Sequence, residues 1–161
     1  MVSNELLICG IGNKLKKDDG LGPYIIDQLE KQHLPAYVKV IDMGISAFKT
    51  ALFIGKYFRV IFVDAIKIGK QAGHVYRFQL DMKKILNSDS LNSMIMSLHE
   101  SDLGNILKTA YSLGNYPREM IVIGCEPKST STGLGLSKEV MKSIDSIIDL
   151  IFTEIRTQDI K

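Results

Sequence analysis

Three acids in this chain follow short apolar runs: Asp19 beyond Leu6–Cys9 and its glycine turn, Asp64 directly after Val60–Val63, and Glu126 beyond Met120–Gly124. A buried strand has little use for a carboxylate at its end unless that group serves a site or caps the loop beyond. Acids gathered in this way suit divalent-metal or proton chemistry. His99, just before an apolar helical pattern, adds a nitrogen donor. Two carboxylates and an imidazole at one sheet edge make a site for zinc, nickel or a similar divalent ion.

Asp19 lies in the most distinctive stretch, Leu6-Leu7-Ile8-Cys9-Gly10-Ile11-Gly12-Asn13-Lys14-Leu15-Lys16-Lys17-Asp18-Asp19-Gly20-Leu21-Gly22-Pro23. It reads as a strand, a glycine turn and a helix entry. Gly10 and Gly12 lack the Cβ that hinders a sharp turn. Pro23 suits an early helical position, where its missing N–H goes unused. Asp18 and Asp19 then stand at a helix N-terminus, which favours negative charge. Asp18 reads as the helix-start acid and Asp19 as the acid of the site, with an exchange of roles left open. A dinucleotide fingerprint would need a third glycine at position 15, where the chain has Leu15, and two acids would repel a pyrophosphate.

The elements that must position these groups alternate. Leu21, Ile25, Ile26 and Leu29 recur at helical spacing toward His33. Val38 to Met43 predicts a second strand, ended by Gly44. Ser46 caps a helix in which Phe48, Leu52 and Phe53 face inward. The continuous apolar run at Val60–Val63 predicts a strand covered on both faces. Tyr76, Phe78 and Leu80 alternate with polar residues, the pattern of an edge strand antiparallel to the rest. Asp81 to Asn87 predicts a short helix, and Leu103, Ile106, Leu107 and Ala110 mark another. Met120 to Gly124 is a further buried strand. Val140, Met141, Ile144, Ile147, Ile148, Ile151, Phe152 and Ile155 form the apolar stripe of a last helix, with Ser137 as N-cap. Ser88–Ser93 and Ser129–Gly133 lack apolar anchors and are expected to be mobile.

This rhythm predicts an α/β fold, a three-layer α/β/α sandwich on a mainly parallel twisted sheet with one antiparallel edge strand. Ligand sites in such folds gather at the carboxyl ends of the strands, where Asp19, Asp64 and Glu126 all fall. With 161 residues and 45% hydrophobic content, residues 1–161 suit one domain with a proper core. A formal charge of +2 gives no drive toward nucleic acid or an acidic membrane. No apolar run is long enough to span a bilayer. No secretory leader pattern is evident, and only Cys9 and Cys125 are present. That is the cysteine usage of a reducing compartment, so the expected location is cytoplasmic.

Gly10-Ile11-Gly12-Asn13 with Leu15 and Asp18-Asp19-Gly20-x-Gly22 resembles the N-terminal signature of the hydrogenase maturation proteases, the endopeptidases of [NiFe]-hydrogenase large subunits. Asp42-Met43-Gly44, Val63-Asp64-Ala65, Leu98-His99, Gly124-Cys125-Glu126-Pro127 and Gly135-Leu136-Ser137 resemble later motifs of that family in the same order. The resemblance implies an endopeptidase that removes a C-terminal extension from the large-subunit precursor after nickel insertion. It implies that Asp19, Asp64 and His99 contact the metal and carry the reaction, the first position being Glu in some members and Asp here. The metal is then a divalent ion, nickel carried by the substrate, and no nucleotide, haem or flavin is expected. Residue types leave aspartic and metal-dependent mechanisms both open. A non-catalytic nickel-sensing or metal-carrying module of the same fold is the alternative.

The remaining candidates read more simply. Cys9 is core. Cys125 beside Glu126 reads as a small buried thiol, with a nucleophile at an exposed strand end as the alternative, though no histidine is tied to it by sequence. His33 suits a helix end and His74 the start of an exposed strand. Lys16 and Lys17 read as a solvated rim, with contact to the precursor's tail as the alternative.

Overall fold

The protein is described here by a computed structural model, which covers residues 3–86, 97–98 and 100–158. Five strands form one sheet: β1 (Ser3–Ile11), β2 (Val38–Gly44), β3 (Tyr57–Asp64), β4 (Val75–Gln79) and β5 (Glu119–Cys125). Their spatial order is β2-β1-β3-β5-β4, parallel throughout except for β4, which runs antiparallel to β5. The mainly parallel sheet with an antiparallel edge is therefore present as its sequence pattern required.

Side-chain alternation builds the layers. Leu7, Cys9 and Ile11 of β1 join Val60, Phe62 and Val122 in one apolar cluster. That cluster packs under α2 (Ala47–Ile54), α3 (Met82–Leu86) and α4 (Asp102–Ser112). Leu6 and Ile8 face the other way, joining Ile61, Val63, Ile121 and Ile123 beneath α1 (Leu21–Leu29) and α6 (Ile144–Gln158). Each period-two strand thus feeds two cores, and burying both faces is what makes β3 and β5 almost wholly apolar.

Three expectations are corrected. The inward face of α2 is Thr50, Ala51 and Ile54, with Phe53 packed against the core as expected, while Phe48 is 62% and Leu52 46% exposed. Both faces of that helix are apolar, so spacing alone does not decide between them; α4 packs against the opposite one. The last helix is two: α5 (Lys138–Met141) and α6, broken at Lys142–Ser143, where Ser143 Oγ donates to Gly73 O at 2.5 Å. Met141 leaves the stripe and is exposed. The Ser129–Gly133 loop, expected to be mobile, is fastened at both ends: Asp18 N donates to Ser129 O (3.1 Å) and Lys17 N to Gly133 O (2.8 Å). The Ser88–Ser93 stretch lies outside the described residues. No described helix is long and apolar enough to cross a membrane.

Candidate active site

The carboxyl ends of β1 and β3 lie side by side, with Gly10 paired to Val63. After β1 the chain turns through Gly12 at φ +131°, a conformation open to glycine. A Cβ there would sit 1.9 Å from Asp19 O, so this glycine also lets the turn fold back on the acid. A single 3-10 turn, Lys17–Gly20, then leads into α1. On it the two neighbouring acids part company.

Asp19 is half-buried and its Oδ2 accepts from Asn13 N at 2.9 Å. Asp64 closes β3, is 4% exposed, and its Oδ1 accepts from Ala65 N at 2.8 Å. Both line one open cleft of about 600 Å³, whose walls are the Ala65–Gly69 loop and the start of α4. Burial, then the charge of Asp19, push the Asp64 carboxyl well above the ordinary carboxylate range, against the pull of the Ala65 N–H. Burial also raises Asp19; the charge of Asp102 adds to the rise, while the Asn13 N–H and Lys16 oppose it. Both acids therefore resist ionising, Asp64 in part because of Asp19.

Asp18 goes elsewhere. It is fully buried, and its oxygens accept from Ser137 N (2.6 Å), Lys128 N (2.8 Å), Ser137 Oγ (2.9 Å) and Ser129 N (3.1 Å). Burial opposes its charge, but these donors prevail and hold the carboxyl below its usual value. It is more than a helix-start acid: it fixes a loop from the far end of the chain. Of the two neighbouring acids, it is Asp19 that lines the cleft.

Glu126 is a second scaffold carboxylate rather than a cleft acid. It is 2% exposed and accepts from Ile68 N (2.8 Å) and Gly69 N (3.3 Å), bracing the cleft wall. Tyr76 braces the same wall from β4. Its hydroxyl accepts from Ile66 N at 2.6 Å and lies 3.2–3.3 Å from the carbonyls of Asp64, Ile66 and Cys125. Sequence reasoning took Tyr76 only as part of the edge-strand alternation. It passed over Asp102 and Glu100, which line the cleft beside Ser101, the N-cap of α4. The Ser-Asp pair ahead of an apolar helical pattern was the available signal.

His99 lies outside the described residues. Among the described residues no three His, Cys, Asp or Glu side chains stand close enough to hold a metal ion together. Cys125 is buried, and desolvation, with the charges of Asp18 and Glu126, pushes its thiol up to about 12, unsuited to a nucleophile. Cys9 is raised by burial as well. His33 and His74 are exposed.

A family model described as hydrogenase maturation protease matches residues 23–154. The chain belongs to that family. The matched span begins just beyond Asp19, but a putative hydrogenase maturation protease of Methanocaldococcus jannaschii is 34% identical over 161 residues, 97% of this chain and 99% of its own. Among solved structures, the hydrogenase 2 maturation peptidase of Thaumarchaeota archaeon SCGC_AB-539-E09 is 34% identical, covers 94% of this chain and 97% of its own, and gives a TM-score of 0.71. The hydrogenase maturating endopeptidase HybD of Escherichia coli shares the fold, with a TM-score of 0.77 at 22% identity over 95% and 93% of the two chains. The protein is thus a peptidase of hydrogenase maturation.

Proposed function

We propose that the protein removes the C-terminal extension of a [NiFe]-hydrogenase large-subunit precursor, using Asp19, Asp64 and His99 to engage nickel already held by that substrate. The observation that carries the reading is the meeting of Asp19 and Asp64 in one cleft, each raised by burial and Asp64 further raised by Asp19. Such a pair favours either a shared proton or a cation between the carboxylates. Oxygen donors suit a divalent ion, and two are too few to strip one from solution. They suit a metal that arrives with ligands of its own.

Nickel on the substrate then acts as an address. Engaging it brings the scissile peptide alongside the Ala65–Gly69 wall, which Tyr76 and Glu126 hold in place. Positioning of this kind supplies much of the rate in a peptide hydrolysis. A carboxylate with a raised pKa serves as the base for the attacking water and returns the proton to the leaving amine. With no described basic side chain but Lys67 lining the cleft, the negative charge of the pair is met by the substrate's metal.

The test is intact mass of the precursor over time with the protein, in nickel-loaded and nickel-free forms. Loss of the extension from the loaded form alone is expected. Equal cleavage of both forms removes the nickel address. Stable binding without cleavage points instead to a metal-carrying module.

A further inference from the structure

Beside the Lys17–Gly20 turn lies a groove of about 480 Å³, lined by Lys17, Tyr24, Leu134, Leu136 and Met141 together with the paired Lys14 and Asp27. Its lining presents apolar groups to water: Leu134 is 79% exposed and Met141 44%, and Leu15, hydrogen-bonded through its carbonyl to Gly133, is 62% exposed. These are not side chains on a loose loop. Gly133 N donates to Leu15 O at 2.9 Å, Lys17 N donates back to Gly133 O at 2.8 Å, and Asp18 clamps Ser129 and Ser137 on either side. A buried carboxylate with four donors thus holds a bulky leucine out in solvent. Ordered apolar exposure of this sort marks a recognition surface.

Charge decides what it recognises. Lys14 is matched by Asp27 (3.4 Å) and Asp42 (3.7 Å), and Lys128 by Glu139. Lys17 has no acidic partner among the described residues; its stem lies along Gly133 at the groove's mouth. It is also the one described non-glycine residue with positive φ, at +44°, so the turn holds it there against its backbone preference. Lys16, one residue before it, is close enough for its charge to act on Asp19.

We propose that this groove docks a segment of the substrate polypeptide in which a bulky apolar side chain adjoins a carboxylate, the side chain entering beside Leu134, Leu136 and Met141 and the carboxylate meeting Lys17. The inference rests on the peptidase reading above. It adds a second hold on the precursor, independent of nickel. Two linked contacts raise overall affinity without any change at the reacting carbonyl.

Two experiments separate this from the reading it rests on. In cleavage of nickel-loaded precursor, Lys17→Glu and Leu134→Ser each raise KM about fivefold or more with kcat little changed, because the contacts lie away from the reacting bond. The Lys17→Glu effect shrinks at high salt, and Lys17→Arg restores the wild-type value. Lys49→Glu, exposed on α2, changes neither constant. Unaltered KM in both groove variants overturns the proposal while leaving the peptidase reading intact. Separately, a photo-crosslinker placed at position 134 is exposed to precursor and the adduct mapped by mass spectrometry. Capture of an acidic, apolar segment supports docking even if no cleavage is seen, in which case only the peptidase reading fails. Capture of a basic segment, of a second copy of this chain, or of nothing overturns the proposal.

Discussion

Asp18 and Ser137, 119 residues apart in the chain, are joined by two hydrogen bonds, Ser137 N to Oδ1 at 2.6 Å and Ser137 Oγ to Oδ2 at 2.9 Å. The pair ties the first loop to the entry of α5, so one wall of the molecule's upper edge is closed by a single side chain.

Asp18→Asn is therefore expected to lower stability at neutral pH by about 1–3 kcal/mol, since an amide cannot accept from all four donors and leaves buried N–H groups unmatched. Asp18 has a lowered pKa in the fold. Its contribution is present above the ordinary carboxylate value and is lost as pH falls through the lowered one. The gap between wild type and variant should narrow on acidification in denaturant melts. An unchanged midpoint at pH 7 contradicts the clamp.

Asp64→Asn should behave oppositely. The raised carboxyl makes wild type lose stability as pH climbs from the ordinary value through the raised one, whereas the amide does not titrate. The variant should equal wild type at low pH and match or exceed it at neutral pH. Cleavage of nickel-loaded precursor should fall about a hundredfold or more, the usual loss with a proton-transfer group. Thermal melts across pH, paired with the mass assay, check both halves.

Tyr76→Phe removes the one hydroxyl bracing the Ala65–Gly69 wall and strands Ile66 N–H. A loss of about 1–3 kcal/mol follows from the unmatched donor, with faster amide exchange at Ile66 and slower cleavage. Exchange at Ile66 as slow as in wild type would rule out the brace.

At the opposite sheet end, the buried Glu154 receives the buried Arg59 and the exposed Arg77. Glu154→Ala leaves Arg59 buried beside only Glu119, at 3.5 Å, and the Glu154 carbonyl. Breaking a buried pair from one side costs about 3–5 kcal/mol. Chemical denaturation should report that loss, with cleavage by the folded fraction unaffected because the cluster is remote from the cleft.

Strand identities, the antiparallel edge and the place of Asp64 were legible because burial on both faces writes itself as continuous apolar runs, and edge exposure as alternation. Asp18 was not legible in full. Its adjacency to Asp19 says nothing of where a tight turn sends each side chain, and its partners come from Lys128 onward. Glu126 misled for a related reason: a strand-end acid can feed backbone amides of a neighbouring loop as readily as a site, and only the meeting of β4, β5 and the loop after β3 decides. The face of α2 failed because Phe48 and Leu52 are as apolar as the residues that were buried.

The sheet order also sets when the molecule can exist. Within the sheet, β4 pairs only with β5, and β5 joins the other strands only through β3. As the chain leaves the ribosome, β1 to β3 can associate early, but β4 waits for residues 119–125 and Asp18 waits for Lys128, Ser129 and Ser137. The cleft wall braced by Tyr76 and Glu126 thus becomes firm only after β5 has emerged. A nascent chain therefore cannot complete this cleft wall before residues 119–137 have emerged.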